Sequence, residues 1–466
     1  MKAAPNPRLM ALIVASANFM GGLDSTVVVT ALPQMAKSFG IHPVELSVGV
    51  TVYLMVQAVL LPVSSWVADR LGARNVLAGA ILGFTGASVL CAVCHSLWPF
   101  VGARVLQAAF ATLMVPVGRL VLLRATSRED LVSVINIQTI PGLFAPMIGP
   151  AVGGFIVTFV DWPWIFLLNV PIGLVGAAAV LAYIPNAPPE AQRPFDWTGF
   201  WLSGAAIAAL VWGLEQVGAA GSDWRVAAAL VVGGLILGVL GVRHMRRHAH
   251  PIVPLDALAI PAFVATTLTG GFLMRMSMRA VGFILPLMFQ VGLGMSAFVS
   301  GILVVGLNGG DLLLKTVVTR GLRRIGFWKV LVVGSLATAA ALGALTAFSA
   351  TTPLWLIFAA IFVVGMVRSF LFTGMLSLGF ATTHEHHMSG AVTLANMSQQ
   401  LTGALGVSLS AMLMNLSAAA RAGPGAPLAL VDCRVALGAA ALASLVAVVS
   451  FWRLPRDVGA EAVGRG

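Results

Sequence analysis

The sequence predicts an all-α, polytopic membrane protein in which two bundles of six helices are joined by an inserted pair of helices. Hydrophobic residues make up 59% of the 466 residues and charged residues only 9%, whereas about a quarter of the residues in soluble proteins are charged. The apolar runs are long and do not alternate with polar residues, which favours helices over the strands of a membrane barrel. This composition excludes a soluble enzyme, a disordered chain and a fibrous repeat.

Fourteen segments are long enough to cross a bilayer, since about 20 apolar residues are needed for about 30 Å of hydrocarbon. In chain order they are 9–32, 45–66, 76–95, 98–123, 131–158, 164–184, 198–217, 226–243, 261–289, 297–318, 329–349, 352–377, 388–416 and 431–452. The connectors are short, so we expect no extramembrane catalytic domain. We expect the first segment to be retained as a helix, because it lacks a convincing signal-peptide cleavage site.

The basic residues predict the orientation, because lysine and arginine accumulate in cytoplasmic loops. With Met1 inside, the cytoplasmic side holds 17 of them: Lys2, Arg8, Arg70, Arg74, Arg124, Arg128, Arg193, Arg243, Arg246, Arg247, Arg320, Arg323, Arg324, Lys329, Arg453, Arg456 and Arg465. The other side holds Lys37, Arg225, Arg421 and Arg434. We therefore expect a multi-pass protein of a bacterial inner membrane with both termini in the cytoplasm. The net charge of +11 then requires no nucleic acid partner.

Two Pro-containing polar stretches, at 184–197 and 242–256, enclose the seventh and eighth segments. They divide the chain into an N-terminal six-helix bundle (1–185), an inserted transmembrane pair with cytoplasmic linkers (186–260) and a C-terminal six-helix bundle (261–466).

The two bundles look like a repeat. Gly72 and Arg70, in the loop after the second segment, align with Gly326 and Arg324, in the loop after the tenth. Parallel halves of six helices are one known transporter plan, in which the halves rock around a site near the bilayer midplane.

An ionisable residue inside an apolar helix is the first candidate for function. Asp24 lies in the string Leu23–Pro33 of the first segment, where an unpaired charge costs several kcal/mol. Arg104, in the fourth segment, is the expected partner, because arginine keeps its charge at any accessible pH. A pair that opens when Asp24 takes a proton would couple proton movement to a conformational change. A static structural pair is the alternative.

The loop that ends at Arg74 contains Asp69, Arg70 and Gly72. Gly72 permits a tight turn, and Asp69 can accept hydrogen bonds from a helix N-terminus. A positive-inside loop would explain the arginines, but not Asp69 together with Gly72.

The fifth segment contains the string Gly-Pro-Ala-Val-Gly-Gly. Pro150 bends the helix, and Gly149, Gly153 and Gly154 allow another backbone to come close. The alternative is a generic kinked and closely packed helix.

Together with Arg104–Ala108, Trp164–Gly173 and Phe195–Gly199, these strings resemble those of the fourteen-span drug:proton antiporters of the major facilitator superfamily, over essentially the whole chain. The chain departs from the family pattern at Ser65, Ala73, Ala108, Ala145 and Pro163. The resemblance implies proton-coupled export, with Asp24 and Arg104 as the coupling pair. It also implies a conformational switch with two elements. The first is the loop of Asp69, Arg70, Gly72 and Arg74, a cytoplasmic latch in which Asp69 meets a helix N-terminus of the opposite half. The second is the string of Gly149, Pro150, Gly153 and Gly154.

Charged residues of the C-terminal bundle predict the substrate class. Arg275 and Arg279 lie one turn apart, and Arg368 adds a third base. Asp311 and Lys315, at i and i+4, are a plausible intrahelical ion pair. Bases outnumber acids inside the spans, and a positive cavity attracts anions. We hypothesise that the substrate is an organic acid, its metal chelate or an acidic drug.

Uncharged residues complete the expected substrate cavity. Tyr53 and Gln57 share one helix face, and Asn396 and Gln400 share another. Each is equally consistent with helix–helix contact. If Arg119 and Lys315 snorkel to the interface, the positive excess shrinks but remains.

Three short signals carry little weight. Cys91–His95 matches a haem-attachment string, but no soluble domain is expected to enclose a haem. His384–His387 is better explained as a solvated loop than as a metal site, and the chain has no Walker A string. We expect no cofactor and no metal. The expected partners are a small-molecule substrate, protons and the bilayer, and we expect a monomer.

Three other functions compete with export. An importer or uniporter of an organic anion would share the fold, although the Gly-Pro string argues against it. An integral membrane enzyme would need a cluster of His or Asp at one interface, and a membrane sensor would usually carry an appended soluble domain.

Overall fold

The structure is a computed structural model that describes residues 6–126, 131–185, 194–218, 223–384, 387–423 and 425–459. These ranges are helical and contain no strand. The helices are α1 (Pro7–Phe39), α2 (Ser47–Leu60), α3 (Val63–Leu71), α4 (Ala73–Ala92), α5 (Leu97–Ala125), α6 (Leu131–Phe159), α7 (Trp164–Leu167), α8 (Asn169–Tyr183), α9 (Trp197–Gly218), α10 (Trp224–Met245), α11 (Pro261–Thr267), α12 (Gly270–Leu287), α13 (Ala297–Ile325), α14 (Phe327–Leu345), α15 (Leu354–Ala381), α16 (Met388–Ala422) and α17 (Leu430–Trp452).

The predicted all-α membrane fold is confirmed. Within the described ranges, 13 helical segments are long and apolar enough to cross a membrane. The remaining predicted span is divided, because α2 stops after 14 residues and the chain resumes as α3 after Leu61 and Pro62. An even number of crossings brings the start of α1 and the end of α17 to one side, which we call the terminal face. The other side is the opposite face.

The loops that contain Gly72 and Gly326, which align in the sequence, share one backbone conformation. Gly72 separates α3 from α4 with a φ of 84°, and Gly326 separates α13 from α14 with a φ of 89°. Glycine adopts positive φ angles at little cost. The matching turns support two related halves. Part of the predicted boundary between the first bundle and the inserted pair, 186–193, lies outside the described residues.

The N-terminal half (α1 to α8) and the C-terminal half (α11 to α17) meet along two seams. The first seam packs α6 on α13, and the second seam packs α2 on α16. The inserted helix α9 packs on both α2 and α16, whereas α10 packs mainly on α9. The inserted pair therefore covers the second seam from outside.

The hydrophobic core is distributed unevenly between the two faces. Toward the opposite face, one cluster of buried residues joins the two halves and includes Leu32, Phe100 and Phe289. Toward the terminal face each half has its own core, one around Leu77 and the other around Leu331. The halves therefore share a core at the opposite face and keep separate cores at the terminal face.

Candidate functional site

The expected pair of intramembrane charges exists in the N-terminal half. Asp24 of α1 and Arg104 of α5 are 2% and 1% exposed, and Arg104 Nη1 donates to Asp24 Oδ2 at 2.8 Å. Arg104 Nε also faces the Gly49 carbonyl oxygen at 3.4 Å, and its guanidinium lies 4.1 Å from the ring centre of Tyr53. Tyr53, expected in the substrate cavity, is therefore part of this buried site.

Three further polar side chains surround the pair, and none of them is among the predicted site residues. Gln107 Nε2 donates to Asp24 Oδ1 at 2.9 Å and to Ser88 Oγ at 2.8 Å, while Gln107 Oε1 accepts from Arg104. Asn169 Nδ2 faces Asp24 Oδ1 at 3.4 Å. The spacing of Gln107, one turn after Arg104, is the sequence signal that could have identified it. The resulting network joins α1, α4, α5 and α8.

The charges of the C-terminal half pair differently from the prediction. Arg368 of α15 donates to Asp311 Oδ2 at 3.0 Å and to Asn308 Oδ1 at 2.9 Å. The predicted pair between Asp311 and Lys315 is wrong, and Lys315 is exposed. Close packing of α13 on α15 explains the difference, because a Cβ at Gly365 would meet the backbone of α13. This packing brings α15 directly beside Asp311.

The arginines of α12 do not form a common site. Arg275 is buried, and its Nη1 donates to the carbonyl oxygen of Thr266 at 2.9 Å. This contact arises because the ninth span is interrupted between α11 and α12, which leaves the carbonyl of Thr266 without a helical partner. Arg279 is exposed and close enough to Arg275 and Arg368 to interact with both electrostatically. Arg279 therefore presents an exposed side chain, whereas Arg275 caps a broken helix.

The polar residues expected on α2 and α16 meet across the second seam. Gln400 Nε2 donates to Gln57 Oε1, so these two residues connect the halves. Asn396, one turn earlier on α16, is exposed. Asn308 makes a comparable link across the first seam, where its Nδ2 donates to the Pro146 carbonyl oxygen of α6 at 2.7 Å.

The expected switch loop lies at the terminal face beside a cavity of about 1560 Å³. Asp69 Oδ1 accepts from Arg124 Nη2 at 2.8 Å. The expected contact with a helix N-terminus of the other half is therefore corrected, since Arg124 belongs to α5 of the same half. The separation of the halves at this face explains the difference. Arg70 lies over the Trp66 ring at 5.2 Å, and Arg74 donates to the backbone of α8.

The glycines of the second switch element lie where helices approach closely. A Cβ at Gly149 would meet Thr26 of α1, and one at Gly153 would meet Val27 at 2.9 Å. A Cβ at Gly154 would meet the backbone of α13, and the carbonyl of Pro150 occupies the space beside Gly301 of α13. The string thus packs α6 between α1 of its own half and α13 of the other.

Among the described residues, Asp196, His244 and His248 are grouped closely enough to hold a metal ion, with their ligand atoms within 4.8 Å of one another. Asp196 already accepts hydrogen bonds from Gly199 N, His244 Nε2 and Ile252 N. We therefore assign this cluster a structural role, which is to hold the start of α9 against the end of α10. Of the loop 384–387, residues 385 and 386 lie outside the described residues.

Known proteins share this sequence and architecture. A family model described as Major Facilitator Superfamily matches residues 14–407. MdtD of Klebsiella pneumoniae (strain 342), named as a multidrug resistance protein, is 35% identical over 459 residues, which cover 97% of this chain and 96% of the relative. MdtD of Pectobacterium carotovorum subsp. carotovorum (strain PC1) is 35% identical over 404 residues, covering 87% and 86%.

Solved structures with low sequence identity share the fold. An auto-inhibited POT family peptide transporter has a TM-score of 0.69 at 14% identity, with 97% of this chain and 98% of that chain covered. A D-xylose-proton symporter has a TM-score of 0.67 at 13% identity, with the same shares covered. The family match and the MdtD relatives, together with 13 apolar helices in the described ranges, make the chain a multi-pass membrane transporter and not an enzyme. It belongs to the major facilitator superfamily.

Proposed function

We propose that the protein is a proton-coupled antiporter that exports a small organic molecule by alternating access. We place it in a bacterial inner membrane as a monomer, with the terminal face in the cytoplasm. The excess of Lys and Arg at the terminal face supports this orientation. The multidrug resistance named for the MdtD relatives supports export.

The observation that carries the proposal is the buried network around Asp24. An ionised carboxylate with both oxygens hydrogen-bonded is stable in a membrane only while Arg104 balances its charge. A proton on Asp24 removes that attraction, and Arg104 keeps its contacts with Tyr53 and Gly49. Protonation of Asp24 therefore loosens α1 from α5 without leaving Arg104 bare.

The separate cores at the terminal face support the loading half of the cycle. In this arrangement a substrate enters from the cytoplasm while the opposite face is closed by the shared core. Rocking of the halves then opens the opposite face, where the substrate leaves and a proton reaches Asp24. The protonated carrier returns to the present arrangement and releases the proton into the cytoplasm.

Reconstitution into proteoliposomes tests the coupling. We expect an imposed proton gradient to drive transport by the wild type and not by Asp24→Asn, because asparagine cannot exchange a proton. Both proteins should still insert into the membrane and bind substrate. Substrate binding by the detergent-solubilised Asp24→Asn protein is therefore the control for correct folding. Full gradient-driven transport by Asp24→Asn would remove Asp24 from the mechanism.

We propose that the substrate carries a negative charge. Arg279 is exposed within the bundle, and its neighbours Arg275 and Arg368 are also basic. Of these three, Arg368 is balanced by Asp311. Counterflow with matched panels of organic anions and cations tests the charge, and Arg279→Gln should weaken uptake of anions selectively. Counterflow of lipophilic cations alone would contradict this assignment.

A further inference from the structure

The inserted pair carries a half-buried carboxyl group that lies apart from the Asp24 network. Glu215 is the only ionisable residue of α9 and lies in its last turn, near the opposite face. Its Oε1 accepts a hydrogen bond from Ser408 Oγ of α16 at 2.7 Å. Thr51 of α2 is within hydrogen-bonding reach of the same carboxyl group, and the two hydroxyl oxygens are 3.5 Å apart. One carboxyl group thus connects the inserted helix with both halves.

The described helices around Glu215 supply hydroxyl groups and no ion-pair partner. Helix α2 has no charged residue, and the one charged residue of α16, Arg421, pairs with Asp432 at 3.0 Å. Arg104 of α5 is engaged with Asp24, and the nearby end of α10 carries the exposed Arg225. Ser408 and Thr51 are themselves fully buried.

A cavity of about 550 Å³ reaches Glu215 from the opposite face. Its lining includes two other titratable residues, His42 and Glu45, and both are exposed. The cavity gives protons from the outer solution a route to Glu215 that does not pass through the Asp24 network.

A charged carboxylate without a balancing cation is costly inside a protein, whereas the neutral acid can both donate and accept hydrogen bonds. Opening the opposite face must separate α2 from α16, so Glu215 would lose its hydrogen bonds with Ser408 and Thr51 and would be more fully hydrated than it is beside the cavity. We propose that Glu215 is a proton-linked latch. With a proton it holds the second seam closed at the opposite face, and without one it favours opening. The inserted pair is then a sensor of the outer pH that acts on the rocking of the halves.

Distances between spin labels across the opposite face test the latch. Labels at Val160→Cys and Thr351→Cys report on the two halves, because both sites are exposed and lie in loops at that face, while the native cysteines are buried. In the wild type we expect a rise in pH to shift the distances toward the open state. Glu215→Gln keeps the hydrogen bonds but cannot ionise, so it should lose this shift and remain closed. Glu45→Gln, which alters the exposed carboxylate of the same cavity, should keep it.

The latch rests on the proposed alternating access but not on Asp24, and Asp24→Asn separates the two. Retention of the pH shift in Asp24→Asn with its loss in Glu215→Gln supports the latch, whatever happens to transport. A wild-type shift in Glu215→Gln overturns it, even if Asp24→Asn abolishes coupling.

A spectroscopic test applies if Glu215→Gln does not insert. The infrared difference between acid and alkaline samples should contain a protonated carboxyl band that survives in Asp24→Asn. This band should move in frequency in Ser408→Ala, which lacks the hydroxyl group bonded to Glu215. A band that is absent, or that is unaffected by Ser408→Ala, overturns the latch.

Discussion

Arg104 holds the polar network of the N-terminal half together. Its guanidinium reaches Asp24 and Gln107, faces the backbone of Gly49, and covers the ring of Tyr53. A lysine has one compact ammonium group in place of this planar set of donors. The geometry therefore requires arginine at this position and not merely a positive charge.

The pairing of Arg104 with Asp24 predicts a strong energetic coupling. Arg104→Gln should destabilise the folded protein by about 3–5 kcal/mol, because removing one partner leaves a buried charge uncompensated. The double variant with Asp24→Asn should recover much of this loss, since neither buried charge remains. Thermal unfolding of the three variants in detergent measures the coupling. Additive losses would contradict it, and gradient-driven transport should be absent from all three.

At the scale of the helix, α6 and α13 touch through backbone atoms near the opposite face. Gly301→Ala should weaken the first seam by about 1–3 kcal/mol, because the new methyl group meets the carbonyl of Pro150. We expect the conformational equilibrium to move toward an open opposite face. Accessibility of a cysteine introduced at Val157, which is 7% exposed in the present arrangement, to a membrane-impermeant reagent measures this movement. Gly282→Ala, where the added methyl group meets no atom within 4 Å, is the matched control.

The start of α9 depends on Asp196 for its attachment to the rest of the protein. Burial disfavours the charged form of Asp196, but hydrogen bonds from Gly199, His244 and Ile252 outweigh it and hold the pKa of Asp196 below its ordinary value. The carboxylate is the N-terminal cap of α9, since it accepts from the third residue after it.

Asp196→Asn should therefore lower the melting temperature in a pH-dependent manner. A lowered folded-state pKa means that the charge stabilises the fold fully above the ordinary value of about 3.9. The difference between wild type and variant should be constant at neutral pH and shrink as the pH falls through the lower folded-state pKa. A difference that grows on acidification would contradict this assignment.

At the scale of the whole molecule, the distribution of basic residues predicts the side of the membrane on which each face lies. A fluorescent protein fused after Gly466 should fluoresce, because such a reporter becomes fluorescent only when it folds in the cytoplasm. A phosphatase fused at the same position should be inactive, and one inserted at 351 should be active. The reverse pattern would place the terminal face outside and invert the proposed transport direction.

The fold was predictable from the sequence, and so was the part of the candidate site formed by Asp24 and Arg104. Apolar runs predict the spans because lipid admits only helices and closed barrels. The pairing of Asp24 with Arg104 was predictable because a buried charge needs a partner of opposite sign. The partner of Asp311 was not predictable, because the packing of α13 on α15 decides between Lys315 and Arg368. Local spacing along a helix contains no information on this contact.

Two other features depended on contacts that the sequence does not encode locally. The role of Arg275 follows from a break in the ninth span, and no proline marks this break. Glu215 lies at the end of an apolar run, where averaging over about 20 residues hides a single charge. Its importance becomes visible only when α2, α9 and α16 are placed side by side.

The uneven core has an energetic consequence for the transport cycle. When the halves rock, the apolar area that becomes exposed to water at one face is offset by apolar area that becomes buried at the other. The two end states therefore differ in free energy by only a small remainder between large burial energies. A tenfold preference of substrate or proton for one state contributes about 1.4 kcal/mol. A weak binding preference is therefore enough to determine which face of the transporter is open.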